Sequence, residues 1–247
     1  RIKIPAGQSW DYWIFTHNIG SGNTNNSLSY GTLRLNANGT GKADLKNENG
    51  NQTSTALTWL IKSDATIQVV TQGSTTPQIL GMGPNADILL QADLTGSLGY
   101  TFCLRKSSTQ VETTPNHGYH VAEFATPYTL KTATTNWGTF MLYPSLQWEA
   151  TLQTSDRDFD HPQGTYKTTL NGFDLHDEEE MVLPFVFDPT GSLGIGVDHT
   201  IDETDPEDNW LGLILVIKGS ESAPLLVPEP QPEFSFNSHI ITHPYLN

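Results

Sequence analysis

The chain has 247 residues and a formal net charge of −15, because 27 acidic residues outnumber 12 basic ones. This charge would repel a phosphate backbone and an anionic lipid surface, so nucleic acid is not an expected partner. The sequence has no run of about 18 apolar residues, and no membrane insertion is expected. A single cysteine, Cys103, excludes an intramolecular disulfide framework.

Charged residues make up only 16% of the chain, so asparagine, threonine, serine, glutamine and glycine must cover much of the surface. Such an uncharged polar surface is typical of secreted β proteins. We therefore expect an extracellular or periplasmic location. The partner expected in that setting is a carbohydrate or another protein.

Strand signals follow one another along the chain, whereas no window of a dozen residues has helical apolar spacing. Residues 10–16 are aromatic and β-branched. Residues 31–35 (GTLRL) alternate, residues 36–39 (NANG) supply a tight turn, and residues 42–45 return as the second strand of a hairpin. Residues 117–124 are expected to add a strand between the two halves of the chain. From residue 224 the chain reads PLLVPEPQPEF, which favours an extended conformation.

Three segments of the first half have counterparts, in the same order, in the second half. Residues 98–107 (LGYTFCLRKS) match residues 211–220 (LGLILVIKGS), and residues 84–93 match residues 188–198. The openings also correspond, residues 10–19 (WDYWIFTHNI) against residues 137–146 (WGTFMLYPSL). Because ordered matches indicate a repeated unit, residues from about 8 to 107 and from about 125 to 220 are predicted to share one strand order.

The predicted fold is therefore all-β, with two related antiparallel β-barrel or β-sandwich modules and an extended Pro-rich C-terminal tail. The modules are assigned to residues 1–110 and 111–223, and the tail to residues 224–247. A tryptophan-bearing first strand, glycine-rich hairpins and a cation that closes the last strand resemble lipocalin-like, calycin-type barrels. The GTLRLNANGTG hairpin and the GYTFCLRKS strand are also similar to the tandem β modules of bacterial secreted proteins. These resemblances imply an architecture and an extracellular setting.

Two tryptophans are the candidate ligand-binding residues, Trp13 and Trp148. Trp10 and Trp13 are three positions apart, so on one strand they face opposite sides. One of them is expected to enter the core, which leaves the other for a ligand such as a sugar ring. Trp148 is the corresponding candidate in the second half.

An acidic segment in the second half is the candidate metal site. Residues 198–208 (DHTIDETDPED) hold six acids, and clustered oxygen ligands in a loop are what Ca²⁺ prefers. The spacing is not that of an EF-hand, so a solvated acidic loop is the alternative. The predicted calcium ligands are Asp198, Asp202, Asp205, Glu207 and Asp208.

Three functions remain open at this stage. The sequence contains no catalytic motif such as Gly-x-Ser-x-Gly or a phosphate loop, which favours a secreted, non-catalytic protein with a binding or structural role. One alternative is an extracellular polysaccharide-acting enzyme that uses carboxylates in a groove between the modules. The other is a lipocalin-like carrier of an apolar small molecule.

Overall fold

The computed structural model describes residues 9–19, 26–62, 65–93, 98–111, 118–127, 134–154, 159–177, 182–200 and 210–219. These residues form two closed, eight-stranded antiparallel β-barrels, and none of them lies in an α-helix. The all-β prediction is confirmed. The proline-rich tail predicted at residues 224–247 lies outside the described residues. No helix that could cross a lipid bilayer occurs in the described part of the chain.

The first barrel is a simple meander in which each strand pairs with the next and β8 pairs back with β1. Its strands are β1 (Ser9–Ile19), β2 (Ser27–Asn36), β3 (Thr40–Asn47), β4 (Gln52–Ile61), β5 (Thr66–Thr71), β6 (Gln78–Met82), β7 (Ile88–Asp93) and β8 (Leu98–Arg105). Closure leaves no free sheet edge in this barrel.

The second barrel has the same meander, closed by pairing of β17 with β9. Its strands are β9 (Gly118–Pro127), β10 (Thr134–Leu142), β11 (Gln147–Gln153), β13 (Gln163–Thr168), β14 (Gly172–Asp177), β15 (Val182–Phe187), β16 (Leu193–Thr200) and β17 (Trp210–Lys218). The two-residue strand β12 (Phe159–Asp160) pairs with the end of β11. The two barrels are separate sheets.

Alternation along the strands fills the first barrel. Trp10, Tyr12 and Ile14 of β1 point inward and are buried in one apolar cluster with Cys103 of β8. The Tyr12 hydroxyl donates a hydrogen bond of 2.9 Å to the carbonyl oxygen of Ala86, which satisfies its polar end inside the core. Cys103 is a buried free thiol, and burial raises its pKa well above the ordinary value.

Aromatic rings fill one end of the second barrel. Five of them pack with centroid separations between 4.7 and 6.1 Å, namely Tyr119, Phe140, Phe173, Phe185 and Phe187. Gly194 and Gly196 of β16 make room for this packing, because a Cβ at either position would lie within 2.7 Å of the Phe187 or Phe185 ring.

The strand order supports two of the three sequence matches and corrects the third. The matched segments 98–107 and 211–220 fall on β8 and β17, the last strand of each barrel, and residues 84–93 and 188–198 fall on the seventh. The opening match is wrong, because residues 10–19 form the first strand of one barrel and residues 137–146 include the second strand of the other. The second barrel starts at β9, the segment expected to be an extra strand between the halves.

The hairpin of the first barrel that corresponds to the WGTFML strand and its neighbour is the GTLRL hairpin. Gly31 pairs with Leu45 as Gly138 pairs with Leu152, and Leu33 pairs with Ala43 as Phe140 pairs with Ala150. One constant offset in residue number relates all of these positions. At the same offset, the Trp59 indole and the Tyr166 hydroxyl each donate to the carbonyl of the first turn residue, at 3.0 and 2.9 Å.

An apolar interface joins the outer faces of the two barrels. Phe15, Leu28 and Leu104 of the first barrel are buried in one cluster with Ile195, Val197, Leu211 and Leu213 of the second. A polar contact lies within it, because His17 Nε2 is 2.8 Å from the Thr126 hydroxyl and both residues are buried. The outward side chains of Phe15, Leu28, Leu104, Ile195 and Leu213 are therefore apolar because they face the other barrel.

Candidate functional site

The end of the second barrel that the aromatic cluster does not fill contains a cavity of about 870 Å³. Phe140 and Phe185 belong to both the cluster and the cavity wall, so they form the boundary between the two. The described wall is mainly apolar and includes Val121, Ala150, Leu152, Leu175, Leu183 and Ile214. A cavity of this size and lining is typical of a site for a small organic molecule.

Two carboxyl groups meet on the inner face of this barrel. Glu123 of β9 and Asp198 of β16 flank Gly212 of β17, where an added Cβ would lie 3.0 Å from Glu123 Oε1 and 3.2 Å from the Asp198 Cβ. The absence of a side chain at Gly212 lets the two carboxyls approach across the intervening strand, and they share a hydrogen bond. Asn136 Nδ2 of β10 donates a second bond of 2.8 Å to Glu123 Oε2.

The surroundings of Glu123 favour its protonated form. Burial above all, then the negative charge of Asp198 and, more weakly, that of Asp160, together raise the pKa of Glu123 to about 7, while the Asn136 amide acts in the opposite direction. Because the two carboxyls are hydrogen bonded, the proton belongs to the pair. The cavity thus contains an acid pair that changes charge near neutral pH.

The described part of the first barrel does not repeat the acid at the Glu123 position. Alignment of the Leu-Gly pairs that begin β8 and β17 places Thr16 of the first barrel where the second has Glu123, and Thr101 where it has Ile214. The Thr16 and Thr101 hydroxyls are 3.1 Å apart and bond to each other. Two barrels of one topology therefore differ in the chemistry of this position.

Trp148, predicted to bind a ligand, lies in the wall of this cavity. It is only 5% exposed, so it does not form an outward platform for a sugar ring. Its indole Nε1 donates a bond of 3.1 Å to the carbonyl oxygen of His176, which fixes the ring. Ligand binding by Trp148 stays a prediction.

Trp13, the other predicted ligand-binding residue, lies on β1 of the first barrel and is not among the described residues that line this cavity. It points away from the core that contains Trp10, as the three-residue spacing predicted, and packs half-buried against the interface between the barrels. The Lys106 ammonium group is 3.9 Å from the centroid of its ring. This cation–π contact and the barrel interface account for its position, and sugar binding at Trp13 stays a prediction.

The predicted calcium segment is described only at its beginning. Asp198 lies in strand β16 inside the barrel and not in a loop, which corrects its expected position. Asp202, Asp205, Glu207 and Asp208 lie outside the described residues. Among the residues that are described, no group of three or more acids, histidines or cysteines could hold a metal ion. Calcium binding stays a prediction, to be tested by melting curves with millimolar Ca²⁺ and with chelator.

Sequence reasoning missed Glu123 and Asn136. Glu123 is the only charged residue in the apolar strand sequence YHVAEFATP apart from a histidine, and a lone acid on a strand is a recognisable signal. The signal was overlooked because that strand was not assigned to the second barrel. Asn136 lies in β10 directly before the WGTFML residues, and nothing in the sequence connects it to Glu123.

Comparison with known proteins adds no family or function. No protein-family model and no curated protein matches the chain. A solved structure from Nostoc punctiforme PCC 73102, a protein of unknown function from the DUF3598 family, is similar over 86% of this chain and 95% of that chain. The sequence identity is 10% and the TM-score is 0.29. This weak similarity carries no argument about the site.

Proposed function

We propose that this protein binds a small, largely apolar molecule inside its second barrel and performs no chemistry on it. The observation that carries the proposal is the cavity of about 870 Å³ at the end of the barrel opposite the aromatic cluster. Pockets of about 300 to 1,000 Å³ with apolar walls and a few polar groups are typical of ligand sites. The cavity therefore favours the carrier hypothesis over a purely structural role.

The geometry of the acids does not favour the polysaccharide-acting enzyme. Glycosidases hold their two carboxyls about 5 Å or more apart so that the sugar or a water lies between them. Glu123 and Asp198 are hydrogen bonded to each other, which is closer, and they lie inside one barrel. The proposed role is therefore binding, and the extracellular or periplasmic setting is proposed from the uncharged polar composition alone.

A fluorescence titration tests the binding role. N-phenyl-1-naphthylamine, an uncharged apolar dye that brightens in apolar sites, is titrated into the full chain. We expect saturable binding to the wild type. Leu183→Trp should abolish it, because Leu183 lines the cavity and a larger ring would fill the space.

The adjacent residue provides a matched control. Val182 lies on the same strand but is 49% exposed, so Val182→Trp adds the same ring outside the cavity. Dye binding that survives Leu183→Trp unchanged would show that the cavity is not the site. Thermal melts of both variants establish that each one is folded.

A further inference from the structure

Among the residues that the structure describes, the ionisable groups on the cavity wall are acidic. Four described residues of the wall carry carboxyls, namely Glu123, Asp160, Asp177 and Asp198. No lysine, arginine or histidine is present among the described residues that line it. These four carboxyls would repel an apolar ligand that carries a negative charge.

Two of these acids are built into the wall as a unit. Strand β17 lies between the strands of Glu123 and Asp198, and its residue at this level, Gly212, has no side chain. The two carboxyls therefore converge on one point of the inner face. Asn136 holds one Glu123 oxygen at 2.8 Å. Glu123 and Asp198 both line the cavity. A cation placed beside them would be attracted by both carboxyls and would relieve the repulsion between them.

We propose that the ligand of the second barrel carries a protonated amine that binds between Glu123 and Asp198, while its apolar body lies along the aliphatic and aromatic walls. This inference rests on the proposed binding function and names the chemical class of its ligand. The groups that face Glu123 are Asp198 of β16, Asp160 of β12 and the Asn136 amide of β10. Asp177 of β14 is the remaining described acid of the wall.

The expected order of affinity among an amine, an alcohol and a carboxylate follows from the charge of each ligand. An ammonium group donates hydrogen bonds to the carboxylates and also attracts them as an opposite charge, an alcohol donates a hydrogen bond without that attraction, and a carboxylate is repelled. Raising the pH through neutrality removes the shared proton, and the ammonium group then meets two carboxylates where it met one before. The preference for an amine over an alcohol should therefore grow with pH, although the amine itself stays protonated throughout.

Three competitors of equal chain length test this inference: decylamine, decanol and decanoate. Each displaces N-phenyl-1-naphthylamine from the wild-type chain at about pH 6.5 and about pH 8.5. We expect decylamine to bind more tightly than decanol by about tenfold at the higher pH, with a smaller ratio at the lower pH, and decanoate to bind most weakly. The double variant E123Q/D198N should lose the preference for decylamine over decanol.

The outcomes separate the two proposals. Dye binding with equal displacement by decylamine and decanol at about pH 8.5, or with strongest displacement by decanoate, overturns the amine inference and leaves the binding function intact. A dye that does not bind overturns both. If E123Q/D198N fails to fold, the single variant E123Q and the pH dependence of the wild type still decide the question.

Discussion

Trp148 of β11 lies opposite Gly164 of β13, and its ring occupies the space that a side chain at position 164 would need. A Cβ on Gly164 would lie 2.9 Å from Trp148 Nε1. In the first barrel the corresponding pair is Gly41 and Leu57, where a Cβ on Gly41 would lie 2.6 Å from Leu57 Cδ1. The large and the small residue have exchanged strands between the barrels, which preserves packing while it brings an indole into the cavity wall.

Gly164→Ala should destabilise the protein by about 1 to 3 kcal/mol. The added methyl group would meet the Trp148 ring and, at 1.9 Å, the carbonyl oxygen of His176, so both the ring and the β13–β14 pairing must shift. Urea unfolding monitored by tryptophan fluorescence measures the change. Gly81→Ala is the control, because a Cβ at Gly81 meets nothing closer than 3.7 Å. Equal effects of the two substitutions would contradict the packing argument.

The sequence was sufficient to predict the fold class and the position of the last two strands of each barrel. The Leu-Gly pairs of β8 and β17 are close enough in sequence to be matched directly. The second strand was harder to match, because Trp137 resembled Trp10 more conspicuously than Gly138 resembled Gly31. The match between the two tryptophans was therefore preferred to the match between the two glycines. The strand pairing nevertheless requires a residue without a side chain at Gly138, because a Cβ there would overlap the Thr151 carbonyl oxygen.

The candidate site could not be predicted in the same way. Glu123, Asn136 and Asp198 lie on three strands that are distant in sequence, and only closure of the barrel brings them together. Asp198 was selected because its neighbours in sequence are acidic, whereas its neighbour in space is Glu123. Whether a barrel is filled or hollow depends on the sum of side-chain volumes inside it, and strand patterns do not contain that information.

Leu146→Gly should stabilise the protein by about 1 kcal/mol. Leu146 has a φ of 62°, a left-handed conformation that is costly for residues with a side chain, and it is 53% exposed, so little burial is lost. Gly39 occupies the equivalent turn position of the first barrel, with a φ of 83°. Leu170 is exposed without a positive φ, and Leu170→Gly should therefore lower the melting temperature. A decrease of similar size in both variants would show that the turn is not strained.

The Glu123 pair should make the protein less stable as the pH rises through 7. The pKa of Glu123 is about 7 in the folded state against an ordinary value of 4.5, so the folded state binds more protons between these values. Unfolding free energy should fall by about 1 kcal/mol at most between about pH 6.5 and pH 8.5. Glu123→Gln should flatten this dependence, whereas Asp174→Asn on the outer face of β14 should retain it. A slope that Glu123→Gln leaves unchanged would assign the dependence to another group.

His17 should produce the opposite dependence at lower pH. It lies in the interface between the barrels and is hydrogen bonded to Thr126. The centroid of its ring is 5.4 Å from that of Tyr100 and 5.7 Å from that of Phe124. Burial lowers the pKa of His17 to about 4 from the ordinary 6.5. The folded state therefore binds fewer protons than the unfolded state between these values, and stability is present above pH 6.5 and is lost as the pH falls.

Urea unfolding of the wild type between about pH 7 and pH 4.5 should show a loss on the order of 2 kcal/mol from His17. His17→Gln should lower stability at neutral pH, because the contact with Thr126 and the ring packing change, yet it should reduce the loss on acidification. His120 is exposed on β9, so His120→Gln serves as the control and should follow the wild-type curve. An acid-induced loss of equal size in His17→Gln and the wild type would show that protonation at the barrel interface does not contribute to it.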